Sequence, residues 1–173
     1  RRILQRCTAI HTVSSNLKRR IVARGIDPDR VRVTANGFDP TDLPTDWPRD
    51  ALREQWGIPR DATVIGFAGW FSTWDRLDLL LDAFAALAPD RPALRLLLIG
   101  DGPPTADLRS RAARLGITDR VTFTGPVERA KVYAHIAMMD VAVLPHSNAY
   151  GSPVVMFEFM ALGVPIAAPR LDP

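Results

Sequence analysis

The sequence predicts an α/β protein built on a doubly wound, Rossmann-like parallel sheet, and three observations predict it. From residue 62 onward, short apolar runs alternate with longer helical segments in an unbroken βαβαβαβαβ order. The short runs at 63–69 (TVIGFAG), 94–99 (LRLLLI), 121–124 (VTFT), 141–144 (VAVL) and 164–168 (VPIAA) are near-continuously apolar instead of alternating. Parallel strands covered on both faces read this way. The segments between them, 76–88, 105–115, 128–138 and 153–162, have helical character and suit right-handed crossovers.

Composition sets the bounds. The 173 residues, 47% hydrophobic, suffice for a two- or three-layer core and suggest one domain to one and a half. Formal net charge is only +3, and Lys18 and Lys131 are the only lysines among the basic residues. That arginine skew fits a GC-rich coding sequence better than a nucleic-acid-binding stripe. The one basic cluster, Lys18-Arg19-Arg20, reads as a solvated helix face, with contact to an anionic membrane surface as the alternative. Cys7 is alone, so no disulfide framework and no cysteine zinc site is expected. No apolar run approaches the ~20 residues of a membrane span, and no signal peptide is visible, which suggests a soluble, cytoplasmic protein. Both ends look cut, as in a piece of a larger protein.

Residues 9–14 (AIHTVS) form a short strand ending in an N-cap, with Ser14 or Ser15 opening an amphipathic helix to about Arg24 that Gly25 closes. A turn at 26–30 precedes a second short strand, Val31–Thr34. Three prolines, Pro40, Pro44 and Pro48, then give a linker composition, so a domain boundary is placed near residue 40. A short helix at 49–56 ends at Gly57, and the strand–helix alternation begins.

In doubly wound sheets, ligands lie outside the carboxyl ends of the strands where the strand order reverses. With the order 3-2-1-4-5, that crevice falls between the strands at 63–69 and 141–144. Its two loops are Trp70–Asp75 and Pro145–Ser152. The second loop leads into a helix framed by Ser152 as N-cap, Pro153 at the first helical position and Gly163 past the end. That helix is apolar all round except for Glu158, so it should be buried. A buried carboxylate costs several kcal/mol unless it is paired. Glu158 either satisfies a structural donor or accepts two bonds from a vicinal diol such as a ribose. The turn Asn148–Ser152 either delivers N–H groups to an anion at the helix N-terminus or is an unoccupied turn.

Other candidates are weaker. The loop Gly100-Asp101-Gly102-Pro103-Pro104 reads as a tight turn and not as a dinucleotide fingerprint, because Thr105 occupies the third glycine position. Gly125-Pro126-Val127 offers backbone groups to a ligand's edge. His11, His135 and His146 lack metal-ligand spacing. His135 is expected on a helix surface, and His146 either contacts an anion or is structural. Asp27-Pro28-Asp29 resembles a short metal-binding acidic pattern but lies near the linker, away from the crevice.

Four blocks, in this order, resemble the group-one glycosyltransferases of family four: SSNLKRRIVARGIDPDRVRVTANGFDP, GFAGWFSTWDRLDLLLDAFAAL, LLLIGDGPPTADLRSRAARLGITDRVTFTGPV and YGSPVVMFEFMALGVPIAAP. The resemblance covers essentially the whole chain. It implies the C-terminal half of a GT-B fold, with residues 1–40 as the tail of an acceptor domain and 41–173 as most of a nucleotide-sugar-binding domain. It also implies a retaining, metal-independent transferase that needs no cofactor and takes a nucleotide-diphosphate sugar as substrate. The acceptor is undefined, and nucleic acid is not a partner. Glu158 stands where such enzymes bind the donor ribose, and Tyr150 where they carry the first acid of the pair, so these two are the candidate catalytic positions. Gly151, Ser152, Pro153 and Val154 match the loop around the diphosphate and sugar, Val127 the base contact, and Gly69 the glycine after the first strand. Trp70 and Asp75 stand where the family usually places Arg and Lys, with Arg76, one residue away, as the candidate substitute. The alternative is a non-catalytic nucleotide-sugar-binding domain of the same fold.

Overall fold

In the computed structural model, which describes residues 2–39, 41, 43, 48–147 and 151–170, the apolar runs become parallel strands. A short helix, α1 (Arg2–Arg6), precedes β1 (Ile10–Thr12), α2 (Ser15–Val22) and β2 (Val31–Val33). The Ser14 side chain accepts from the Leu17 amide, which fixes the start of α2, and Gly25 follows it with φ +81°. β1 and β2 pair in parallel, Ile10 opposite Val31, over a small cluster of Ile21, Ile26 and Val31.

The main unit runs α3 (Arg49–Gln55), β3 (Thr63–Ala68), α4 (Leu77–Leu87), β4 (Leu94–Ile99), α5 (Thr105–Arg114), β5 (Val121–Gly125), α6 (Arg129–Ile136), β6 (Val141–Val143), α7 (Val154–Ala161) and β7 (Ile166–Ala167). Its sheet has the order β5-β4-β3-β6-β7, every pair parallel. This is the expected 3-2-1-4-5 arrangement, and it puts the reversal of strand order between β3 and β6. β4 is the most deeply placed strand, with Leu96, Leu97 and Leu98 fully buried. Each of these leucines contributes roughly 1.5–3 kcal/mol relative to an exposed position. Phe84 from α4, Ile136 from α6 and Phe159 from α7 close on the sheet.

Three expectations change. His135 is buried, not superficial: its Nδ1 pairs with the Lys131 carbonyl at 2.8 Å and its ring meets Trp56 edge-on. α7 begins one residue late, with Pro153 in extended conformation as its cap residue and no side-chain cap bond. Ser152 is therefore not the N-cap; its carbonyl accepts instead from Asn36 Nδ2 at 2.6 Å. Nor is α7 buried on every side. Val154 is 48% and Met160 62% exposed, because the helix lies over the edge strand β7 and only its inner face, Glu158 and Phe159, meets the sheet.

One polar network holds the base of the sheet and has no sequence motif. Arg53 of α3 is buried and donates to the Met138 carbonyl through Nε and Nη2, to the Ala62 carbonyl, and to Asp140 Oδ2 at 2.9 Å. The same carboxyl accepts from the Val64 amide at 2.7 Å and from Arg49. Burial pushes the Asp140 carboxyl up, but the Val64 amide and the two guanidiniums outweigh it and hold the group below its ordinary range.

Candidate functional site

The carboxyl ends of β3, β4 and β5 are stitched together by their own loops. Gly69 donates to the Ile99 carbonyl at 3.0 Å, Phe71 to the Asp101 carbonyl at 2.8 Å, and Gly100 to the Gly125 carbonyl at 3.1 Å. The contact is so close that a Cβ on Gly100 would fall 1.9 Å from the Gly69 carbonyl oxygen, and one on Gly102 2.0 Å from that of Phe71. Glycine is needed at these two positions for that approach. Asp101 completes the turn by accepting from the Gly102 amide and Thr105 Oγ1, so the tight-turn reading holds.

These loops and the first turns of α6 and α7 enclose a cleft of about 460 Å³. Its wall includes Gly69, Trp70, Asp101, Val127, Arg129 and Glu158. Val154 and Val155 line it too, at the uncapped N-terminus of α7. Four of the residues singled out in the sequence (Gly69, Val127, Val154 and Glu158) therefore meet in one cavity. Glu158 is 5% exposed, and its Oε1 accepts from Arg129 Nη1 at 2.6 Å. A carboxylate offers about four lone-pair positions, so one such bond leaves room for a ligand's hydroxyl groups.

Arg129 is the residue that sequence reasoning missed. It opens α6, lies 29 residues from Glu158, and is 62% exposed at the side chain. Its guanidinium lies 4.8 Å from the Tyr133 ring centroid and donates to the Tyr133 hydroxyl. The available signal was the need of Glu158 for a buried partner; nothing in the spacing said which arginine supplies it.

Gly151, Ser152 and Pro153 line a second, largely apolar hollow of about 300 Å³, with Val13, Val33, Met156 and Phe157 among its other walls. The loop expected to wrap a diphosphate thus faces the β1–β2 unit with these three residues and the cleft with Val154. Arg76 does not join the cleft. It takes the left-handed conformation at φ +55°, pairs in a fork with Asp78 at 2.9 and 3.0 Å, and lines a separate hollow with Arg111 and Arg114. Asp75 is held by the Ser72 amide, capping the turn that precedes α4. His146 Nδ1 meets the Trp74 carbonyl at 2.7 Å, which puts a proton on Nδ1 and ties the two crevice loops together. Asp27 caps its own turn by accepting from the Asp29 amide at 2.9 Å. Tyr150 and Asn148 lie outside the described residues. Among the described residues, no group of three His, Cys, Asp or Glu side chains is placed to hold a metal, and no helix is long and apolar enough to cross a membrane.

The family model described as glycosyl transferases group 1 matches residues 62–172. The chain is 36% identical over 154 residues to D-inositol 3-phosphate glycosyltransferase of Geodermatophilus obscurus, covering 83% of this chain and 34% of that protein. It is 31% identical over 151 residues to 2-deoxystreptamine glucosyltransferase of Streptomyces kanamyceticus, covering 86% and 35%. The chain thus spans about a third of the length of the curated relatives it matches. Among solved structures, Anabaena Alr3699/HepE in complex with UDP superposes with a TM-score of 0.82 at 25% identity, covering 95% of this chain and 45% of that one. The fold is also shared with the lipopolysaccharide-biosynthesis glycosyltransferase WaaG, at TM-score 0.79 and 18% identity over 91% of this chain and 43% of that one.

Proposed function

Because this chain belongs to the group 1 glycosyl transferases, we propose that it carries the donor site of a glycosyltransferase that moves a sugar from a nucleotide diphosphate to an acceptor. The observation that carries the reading is Glu158, a carboxylate 5% exposed in the wall of a cleft at the reversal of strand order. A ribose diol gives such a group the donors it needs. Pro126 and Val127 line the same wall, and on this reading their backbone groups serve the base edge. The N-terminus of α7, which has no side-chain cap bond, meets the cleft at Val154 and Val155, a natural seat for the diphosphate. That Anabaena Alr3699/HepE was solved with UDP supports a uridine nucleotide as the first ligand to test.

On this reading, residues 41–173 form the donor-binding unit and 1–40 belong to the acceptor side. Transfer proceeds with retention and without a metal, by positioning and by stabilising the departing diphosphate with loop N–H groups and the helix dipole. Tyr150 is proposed beside the donor sugar. The second reading, a nucleotide-sugar-binding domain without transfer, is favoured by one observation: neither crevice loop, 70–75 or 145–153, contains a lysine or arginine.

Calorimetric titration with UDP and GDP tests both readings at their common step. Glu158→Ala is expected to weaken nucleotide binding at least tenfold, since hydrogen bonds to a charged group are worth about 1.5–3 kcal/mol. Equal binding by the variant, or no binding of either nucleotide by the parent, would sink the assignment. Sugar transfer from UDP-glucose then separates the first reading from the second.

A further inference from the structure

We propose that Trp70 is a specificity-determining residue of the cleft, its indole stacking on a ring face of the donor in place of a cation gripping the diphosphate. The inference rests on the donor-site reading above and deepens it. Among the described residues, the charged side chains lining the cleft are Asp101, Arg129 and Glu158, one positive against two negative. The one guanidinium lies on Glu158 at 2.6 Å, and Asp101 is engaged by Thr105 and the Gly102 amide. Neither crevice loop adds a cation, and the acid in the first of them, Asp75, is taken up by Ser72. Arg76, the next arginine, is forked onto Asp78 beside a different hollow. A diphosphate in this cleft therefore meets backbone N–H groups and a net negative set of side chains. Charge recognition is the weaker part of what these walls offer.

Trp70 offers something else. It is 71% exposed although it stands in the cleft wall, whereas Phe71 beside it is fully buried. Its backbone is pinned on both sides, by the Gly69 bond to Ile99 and the Phe71 bond to Asp101. An exposed indole on a fixed backbone is a preorganised platform, and it gains by covering the apolar face of a sugar or a base. Trp74 is equally exposed but is not among the residues lining the cleft. Of these two exposed tryptophans, Trp70 is the one placed for this work.

The test is calorimetry with uridine, UDP and UDP-glucose at low and high salt. Trp70→Ala is expected to weaken binding about tenfold, the scale of a lost aromatic contact. Loss with uridine and UDP alike places the indole on the base or ribose; loss with UDP-glucose alone places it on the hexose. Trp70→Phe should keep most of the affinity. Trp70→Arg should raise the preference for UDP over uridine tenfold or more and make it steeply salt-dependent, which a structural role would not do. Unchanged affinity of Trp70→Ala for all three ligands, with binding still dependent on Glu158, overturns the platform while leaving the donor site standing. If the parent binds none of the three, the donor-site reading falls and the platform with it.

Discussion

Glu158 can remain in the apolar body of α7 because Arg129 reaches it from the start of α6. The pair is lopsided: the Glu158 side chain is enclosed, while that of Arg129 is 62% exposed. Removing the exposed partner should therefore harm the buried one. Arg129→Met is expected to cost about 2 kcal/mol, the penalty of leaving a buried acceptor unsatisfied. Urea denaturation reads it, and an unchanged midpoint would show that the pair holds nothing. Glu158 was legible in the sequence as a charge needing a partner. Arg129 was not, since any of the chain's arginines could have answered. The placement of Arg76 was illegible for a different reason. A left-handed backbone and a fork onto its near neighbour Asp78 turn the side chain away from the crevice, and spacing reports neither.

The elements that shape the cleft are loops fastened to one another, and their fastening is testable. Gly102→Ala would push a methyl onto the Phe71 carbonyl. The expected cost is about 1–3 kcal/mol, as for other overpacked sites, together with weaker nucleotide binding because Trp70 and Asp101 move. A variant with parental stability and affinity would show that the loops can separate freely. At the other end of the sheet, Asp140 joins α3, β3 and the start of β6. Its folded-state proton affinity lies below the ordinary 3.8. The unfolded chain thus binds the proton more readily, and the stabilisation is complete well above that value and lost as pH falls through the folded one. Asp140→Asn should lower stability at pH 7 by about 2 kcal/mol, because Arg53 stays buried without its counter-charge. It should also flatten the acid limb of the stability–pH curve below about pH 4. An unaltered acid limb would contradict the assignment. None of this network showed in the sequence, for Arg53 and Asp140 are 87 residues apart and neither belongs to a motif.

At the scale of the molecule, two sheets of very different depth share the chain. The five-stranded sheet rests on the large cluster around β3 and β4, while the β1–β2 pair rests on three buried side chains. The contacts Asn36–Ser152 and Phe38–Tyr133 tie the segment after β2 to α6 and to the residues before α7. Amide exchange should therefore be slowest at Leu96–Leu98 and much faster at Ile10–Thr12 and Val31–Val33, in keeping with their local packing. Equal protection in both sheets would mean that the chain opens as one cooperative unit. The sequence by itself determined the fold class and the parallel strands, because continuous apolar runs and crossover length leave few ways to cover both faces of a sheet; the crevice between β3 and β6 followed once the common strand order was assumed. It also marked Glu158 as the charge to explain. Only the tertiary structure decided which arginine answers it, where Arg76 points and what the crevice presents to a ligand. Arg129 and Glu158 meet across 29 residues, a distance at which local pattern carries no information, and Arg76 is turned by a left-handed backbone that spacing does not report.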